Sequence, residues 1–165
     1  MSLIDVQNLT FAYDGSYENI FENVSFQIDT DWRLGFVGRN GRGKTTFLRL
    51  LLGQYPYQGK ISAYVDFAYF PYPVEEPERT VAEVAERLSP GGETWELERE
   101  LAGLELDGAV LDRPYGSLSH GERTKVLLAI LFLGEDRFLL IDEPTNHLDL
   151  HGREVLSRYL RGKRG

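Results

Sequence analysis

Gly38-Arg39-Asn40-Gly41-Arg42-Gly43-Lys44-Thr45 sets three glycines, a lysine and a hydroxyl in the pattern G-x-x-x-x-G-K-[ST]. Glycines let the backbone close around a small anion, with its amides turned inward as donors. A short apolar stretch, 34–37, leads into the loop, and a helical pattern over 45–52, ended by Gly53, leads out of it. The helix start adds positive potential at the same point. The chemistry that fits is polyphosphate binding, with Lys44 on the terminal phosphates and the Thr45 hydroxyl on Mg²⁺. A plain glycine turn before a helix is the competing reading, and the strand-loop-helix context weighs against it.

Two further groups complement that loop. Leu139-Leu140-Ile141 runs apolar into Asp142-Glu143. Asp142 is placed to hold Mg²⁺, directly or through water, and Glu143 to polarise an attacking water. Apolar residues followed by two acids are common, so the pair gains meaning only beside the phosphate loop. Leu118-Ser119-His120-Gly121-Glu122 is the third group. Ser-x-x-Glu is an ordinary helix cap, and a capped start also directs amides toward an anion.

The elements that must carry these residues follow from periodicity. Ile4, Val6, Leu9 and Phe11 are apolar in a mostly alternating stretch, and Asp14-Gly15-Ser16 is a turn. Val24, Phe26 and Ile28 alternate strictly, as a half-buried strand does. Residues 61–70 read as a further β region. Thr80 with Glu83 reads as a capping box ahead of a helix over 81–88, Ser89-Pro90-Gly91-Gly92 breaks it, and 94–104 restarts one. Ser119 with Glu122 opens a helix to about 133, 138–141 is a buried strand, and 152–160 is a last helix followed by basic residues. This order predicts a parallel α/β nucleotide fold with an N-terminal antiparallel β region and a helical insert over about 74–135, all within one domain.

Bulk properties narrow the function classes. The chain has 165 residues, 42% of them hydrophobic, enough for a packed core. Its longest apolar run, 126–133, is far short of the ~20 residues of a membrane span. No secretory signal is visible. The absence of cysteine removes disulfides and thiolate metal sites. A formal net charge of −8 argues against a general nucleic-acid surface, and no direct DNA binding is expected.

Together the three motifs, in this order, resemble an ABC ATPase domain. Gly38–Thr45 and Leu139–Glu143 match the two Walker motifs, and Ser119, His120, Gly121 and Glu122 match the signature loop. The resemblance implies ATP and Mg²⁺ as ligands, with ATP contacts from Gly38 through Thr46 and metal contacts from Thr45 and Asp142. It implies Glu143 as the catalytic base and a signature loop acting in trans on the nucleotide of a second such domain. Tyr13 is implied to stack on adenine, with Phe11 or Tyr17 as alternatives. Asp149 is implied as the D-loop acid at the dimer interface, and His147 as structural.

Glu143-Pro144-Thr145-Asn146-His147-Leu148-Asp149 resembles the version found in soluble, twin-domain ABC-F proteins, whereas transporters more often carry Ser-Ala in place of Asn-His; the resemblance implies a cytoplasmic protein. Tyr13–Tyr17 and the Phe36–Gly43 loop resemble the antibiotic-resistance branch, which acts on ribosomes. Two departures stand out. Tyr72 occupies the position of the family's usual Gln, so no metal role transfers to it. The family's switch histidine follows one more strand, so the 165 residues are expected to stop before the domain is complete. Three functions compete: a ribosome-directed ATPase module, the nucleotide-binding subunit of a membrane transporter, and a nucleotide-binding module without turnover.

Overall fold

The computed structural model describes residues 2–32, 34, 43–134 and 137–163. Gly38, Arg39, Asn40, Gly41 and Arg42 lie outside the described residues, as does most of the expected strand 34–37. Two compact units divide the chain, the first through Phe67 and the second from Ala68.

In the first unit, β1 (Leu3–Phe11) lies between β2 (Phe21–Asp29) and β3 (Gln58–Ala63) in an antiparallel sheet. Ile4 faces Ile28 and Val6 faces Phe26; after a register shift, Leu9 faces Val24. The shift falls where the apolar alternation of β1 skips a residue. Asn8 there has φ 51°, a left-handed conformation that Asn tolerates better than most side chains. Helix α1 (Lys44–Leu51) sets Phe47 against the rings of Phe26 and Phe21, 5.4 and 6.0 Å between centroids, and buries Leu50 and Leu51.

The β region expected over 61–70 is two strands in two sheets. β3 ends at Ala63, and β4 (Asp66–Phe70) pairs with β5 (Arg137–Ile141). These two are the parallel sheet, and the helices between them make the long crossover that parallel strands require.

Those helices are α2 (Val81–Leu88), α3 (Thr94–Gly103) and α4 (His120–Leu131), followed after β5 by α5 (Leu150–Gly162). Two 3-10 turns, Gly108–Asp112 and Tyr115–Ser117, join α3 to α4. Each N-terminus is fixed by its sequence. Thr80 caps α2 through the Glu83 amide, and Ser119 with Glu122 forms a reciprocal capping box on α4. Val126 through Leu131 are all buried. A helix apolar on every side belongs in the middle of a core, which accounts for the long apolar run. Around α4 pack Val81 and Val84 of α2, Leu97 and Leu101 of α3, and Leu156 and Tyr159 of α5. Glu100 is the buried acid of this core, held by the Tyr159 hydroxyl and Lys163 Nζ. Burial, then Glu100, pushes the Tyr159 hydroxyl up, so it stays protonated as a donor. Among the described residues no helix is long and apolar enough to cross a membrane.

Candidate functional site

In the first unit, the expected phosphate loop delivers its last glycine to the start of α1. Gly43 has φ 95°, and a Cβ there would meet Ile20 Cγ2 at 2.9 Å. Backbone conformation and space both demand glycine. No side chain caps the helix, and no acid lies in its first turn. First-turn amides have no partner inside a helix, so this start fits an anion, and Lys44 and Thr45 are its first residues.

Tyr13 is 40% exposed, and its hydroxyl shares a 2.5 Å hydrogen bond with Thr46 Oγ1. Its ring meets Phe11 at 5.0 Å and Tyr55 at 5.6 Å, edge to face in both cases. Phe11, one alternative for the stacking role, is buried at 5% exposure and cannot offer a face to a ligand. Tyr17, the other, is fully exposed. The Thr46 hydroxyl is directed at Tyr13, so it ties the first turn of α1 to the aromatic group. Tyr55 was not legible as part of this group; it arrives from the loop after α1, where Arg49 Nη1 donates to its hydroxyl at 3.1 Å.

In the second unit, β5 delivers Asp142 and Glu143 as expected. The Asp142 amide donates to the Phe70 carbonyl at 2.9 Å, extending the pairing with β4. Tyr69 of β4 donates its hydroxyl to Asp142 Oδ2 at 2.7 Å. Glu143 is exposed and has φ 45°, a left-handed conformation that costs a Cβ-bearing residue about 1–2 kcal/mol. Asn146 closes the following turn twice. Its amide donates to the Glu143 carbonyl at 3.3 Å, and its Nδ2 donates to Glu143 Oε2 at 2.8 Å. Tyr69 and Asn146 are thus orienting partners that the motifs alone did not reveal.

Tyr72, at the usual Gln position, turns inward and donates to the Leu127 carbonyl of α4 at 2.6 Å. Burial, with Tyr115 beside it, pushes its hydroxyl up, so it remains a donor. A neutral phenol committed to the core is no metal ligand.

The Ser119 hydroxyl accepts from the Glu122 amide at 3.1 Å, and Glu122 Oε1 accepts from the Ser119 amide at 2.9 Å. The Ser119 amide hydrogen bond, with Arg113 adding, holds the Glu122 carboxyl below its usual range. The side chains expected to face a nucleotide in trans therefore also cap their own helix. Asp149 caps α5 by accepting from the Gly152 amide at 2.7 Å, which starts that helix at Leu150, two residues before the expected position.

Comparison with known proteins decides the family. The family model described as ABC transporter matches residues 21–146. The chain belongs to this family. Over 99% of its length it is 34% identical to human ATP-binding cassette sub-family F member 3, covering 24% of that protein. Over 95% of its length it is 34% identical to the ribosome protection protein VmlR of Bacillus subtilis, covering 29% of that protein. The chain thus spans about a quarter of the length of these ABC-F relatives. A bacterial Atm1-family ABC exporter with ATP bound shares the fold, with a TM-score of 0.79 at 22% identity over 97% of this chain and 32% of that one. Membership in the ABC family implies nucleotide binding and ATPase chemistry in general.

Proposed function

We propose that the chain is the ATP-binding and ATP-hydrolysing module of a soluble, cytoplasmic ABC-F protein that acts on the ribosome. The observation that carries this reading is the stretch from Glu143 to Asp149, in which Asn146 orients the Glu143 carboxylate. In this reading Asn146 is not an idle marker of a subfamily. The relatives named sub-family F and ribosome protection protein support it over nearly the whole chain.

The roles are as follows. Residues 38–46 cradle the triphosphate, with Lys44 on the terminal phosphates; the uncapped, acid-free start of α1 suits that charge. Thr45 and Asp142 offer the hard oxygen donors that Mg²⁺ prefers. The metal supplies charge neutralisation at the phosphates when bound. Tyr13 presents a ring for the base. Glu143 holds the proton-accepting carboxylate for an attacking water. Ser119, His120, Gly121 and Glu122 serve the nucleotide of a second ABC domain, and Asp149 lies at that interface.

The test is phosphate release by the intact protein with and without ribosomes, alongside co-purification. Ribosome-stimulated release, lost in Lys44→Ala, is the expected result. Co-purification with a membrane permease and no ribosome effect would move the chain to the transporter class. ATP binding without turnover, with or without ribosomes, would make it a nucleotide-binding module.

A further inference from the structure

The loop after β5 is packed against the start of α4 by contacts that helix capping does not require. His120 and His147 stack, with ring centroids 5.1 Å apart and planes inclined by 29°. Both are exposed. Beside them, a Cβ at Gly121 would lie 3.3 Å from the His147 carbonyl oxygen and 3.6 Å from Leu148 Cδ2. A Cβ at Gly152, on α5, would lie 3.3 Å from Leu148 Cβ. Leu148 is buried between the two helix starts, at 8% exposure. His147 is therefore a ring on a pinned backbone, and its neighbour Asn146 holds the Glu143 carboxylate at 2.8 Å.

We infer that the His120–His147 stack couples the signature loop to Glu143 of the same domain. The proposal rests on the ATPase reading above. There, the signature loop answers to the partner's nucleotide and Glu143 to its own. A shift of the α4 start on engaging the partner's nucleotide moves His120. The stacked ring carries that movement to His147, and the closed turn carries it to Asn146 and the carboxylate. Packed side chains and hydrogen bonds of this kind are the physical medium of coupling between sites. His120 and His147 are positioning residues in this scheme; neither exchanges a proton with substrate.

The experiment is a double-mutant cycle in the intact protein, reading ATP kcat and KM for His120→Ala, His147→Ala and the pair. Because the stack acts on the carboxylate and not on ATP affinity, His147→Ala, which lies outside the nucleotide-binding groups, should lower kcat about 3- to 10-fold with KM changed less than about 2-fold, and His120→Ala should lower kcat at least as much. The double substitution should be no worse than the poorer single one, since both remove one interaction. His147→Phe keeps a stacking ring and should restore kcat to within about 2-fold of the parent. Multiplicative losses in the double variant would overturn the coupling. So would a Phe variant as poor as Ala, which would place the function in an imidazole nitrogen, or losses confined to melting temperature. A parent without any phosphate release would overturn the ATPase reading and the coupling with it, whereas a turning-over parent with independent substitutions overturns the coupling alone.

Discussion

Tyr13 shows how one residue can hold two roles that separate under mutation. Its hydroxyl is tied to Thr46 while its ring is 40% exposed. Tyr13→Phe removes only the hydroxyl bond and is expected to cost about 1 kcal/mol of stability with little change in ATP affinity. Tyr13→Ala also removes the ring and should weaken ATP by roughly 1–3 kcal/mol, taking base–aromatic stacking as the guide. Urea unfolding and titration of a fluorescent ATP analogue measure the two effects. Equal affinity in Tyr13→Ala would free Tyr13 of the stacking role and leave Tyr17 as the candidate. At this scale the sequence was informative about groups that carry charge at a fixed spacing, such as Lys44, Asp142 and Glu143. It was silent on the partners that aim them. Tyr69 and Asn146 reach their carboxylates through strand pairing and a closed turn, and no spacing rule encodes either.

Helix ends are where sequence and structure agree most closely. Ser119 with Glu122 reads as a capping box and is one, while Thr80 caps α2 through the Glu83 amide alone, the Glu83 carboxylate pairing with Arg79 instead; such capping is local and needs only four residues. Asp149 caps α5 just as locally, although the motif it belongs to points to an interface role instead. The strands were harder. Residues 61–70 read as one β region, yet the chain changes sheet between Ala63 and Asp66, a choice made by β1 and β5 from far away in sequence. The capping box on α4 has a pH signature. The Ser119 amide holds the Glu122 carboxyl below its ordinary value of 4.5. A carboxyl depressed in the folded state stabilises fully above its unfolded value, and this is lost as pH falls through the folded one. Glu122→Gln keeps a capping acceptor without the charge. Its stability gap to the parent should therefore be constant at neutral pH and close below about pH 4. Glu122 is partly exposed, so the gap is small; urea unfolding across pH 3–7 reads it. A gap unchanged at acid pH would mean the charge contributes nothing.

For the whole molecule, the proposed chemistry depends on two domains meeting, because in that proposal the signature loop and the phosphate loop of one chain serve different nucleotides. Glu143→Gln in the intact protein should bind ATP, lose turnover by roughly 100-fold or more as a removed general base does, and accumulate as an ATP-bound closed form. Light scattering and retained nucleotide after gel filtration report this. Undiminished turnover would remove Glu143 from the catalytic role. The fold that makes such closure possible was legible as a class from motif order alone. The arrangement of α2, α3 and the 3-10 turns around α4 was not, because it is set by which faces of α4 remain to be covered.

The left-handed backbone at Glu143 has a consequence for anyone engineering this protein. At most positions alanine is more stable than glycine by roughly 0.5–1 kcal/mol. Here the order should reverse: Glu143→Gly is expected to melt a few degrees above Glu143→Ala, since only the former relaxes a conformation worth about 1 kcal/mol. A library selected for heat resistance alone would then drift toward glycine at the very carboxylate that the proposed reaction needs. Thermal selection and activity pull this one position in opposite directions, so any stabilised descendant has to be screened for turnover at every round.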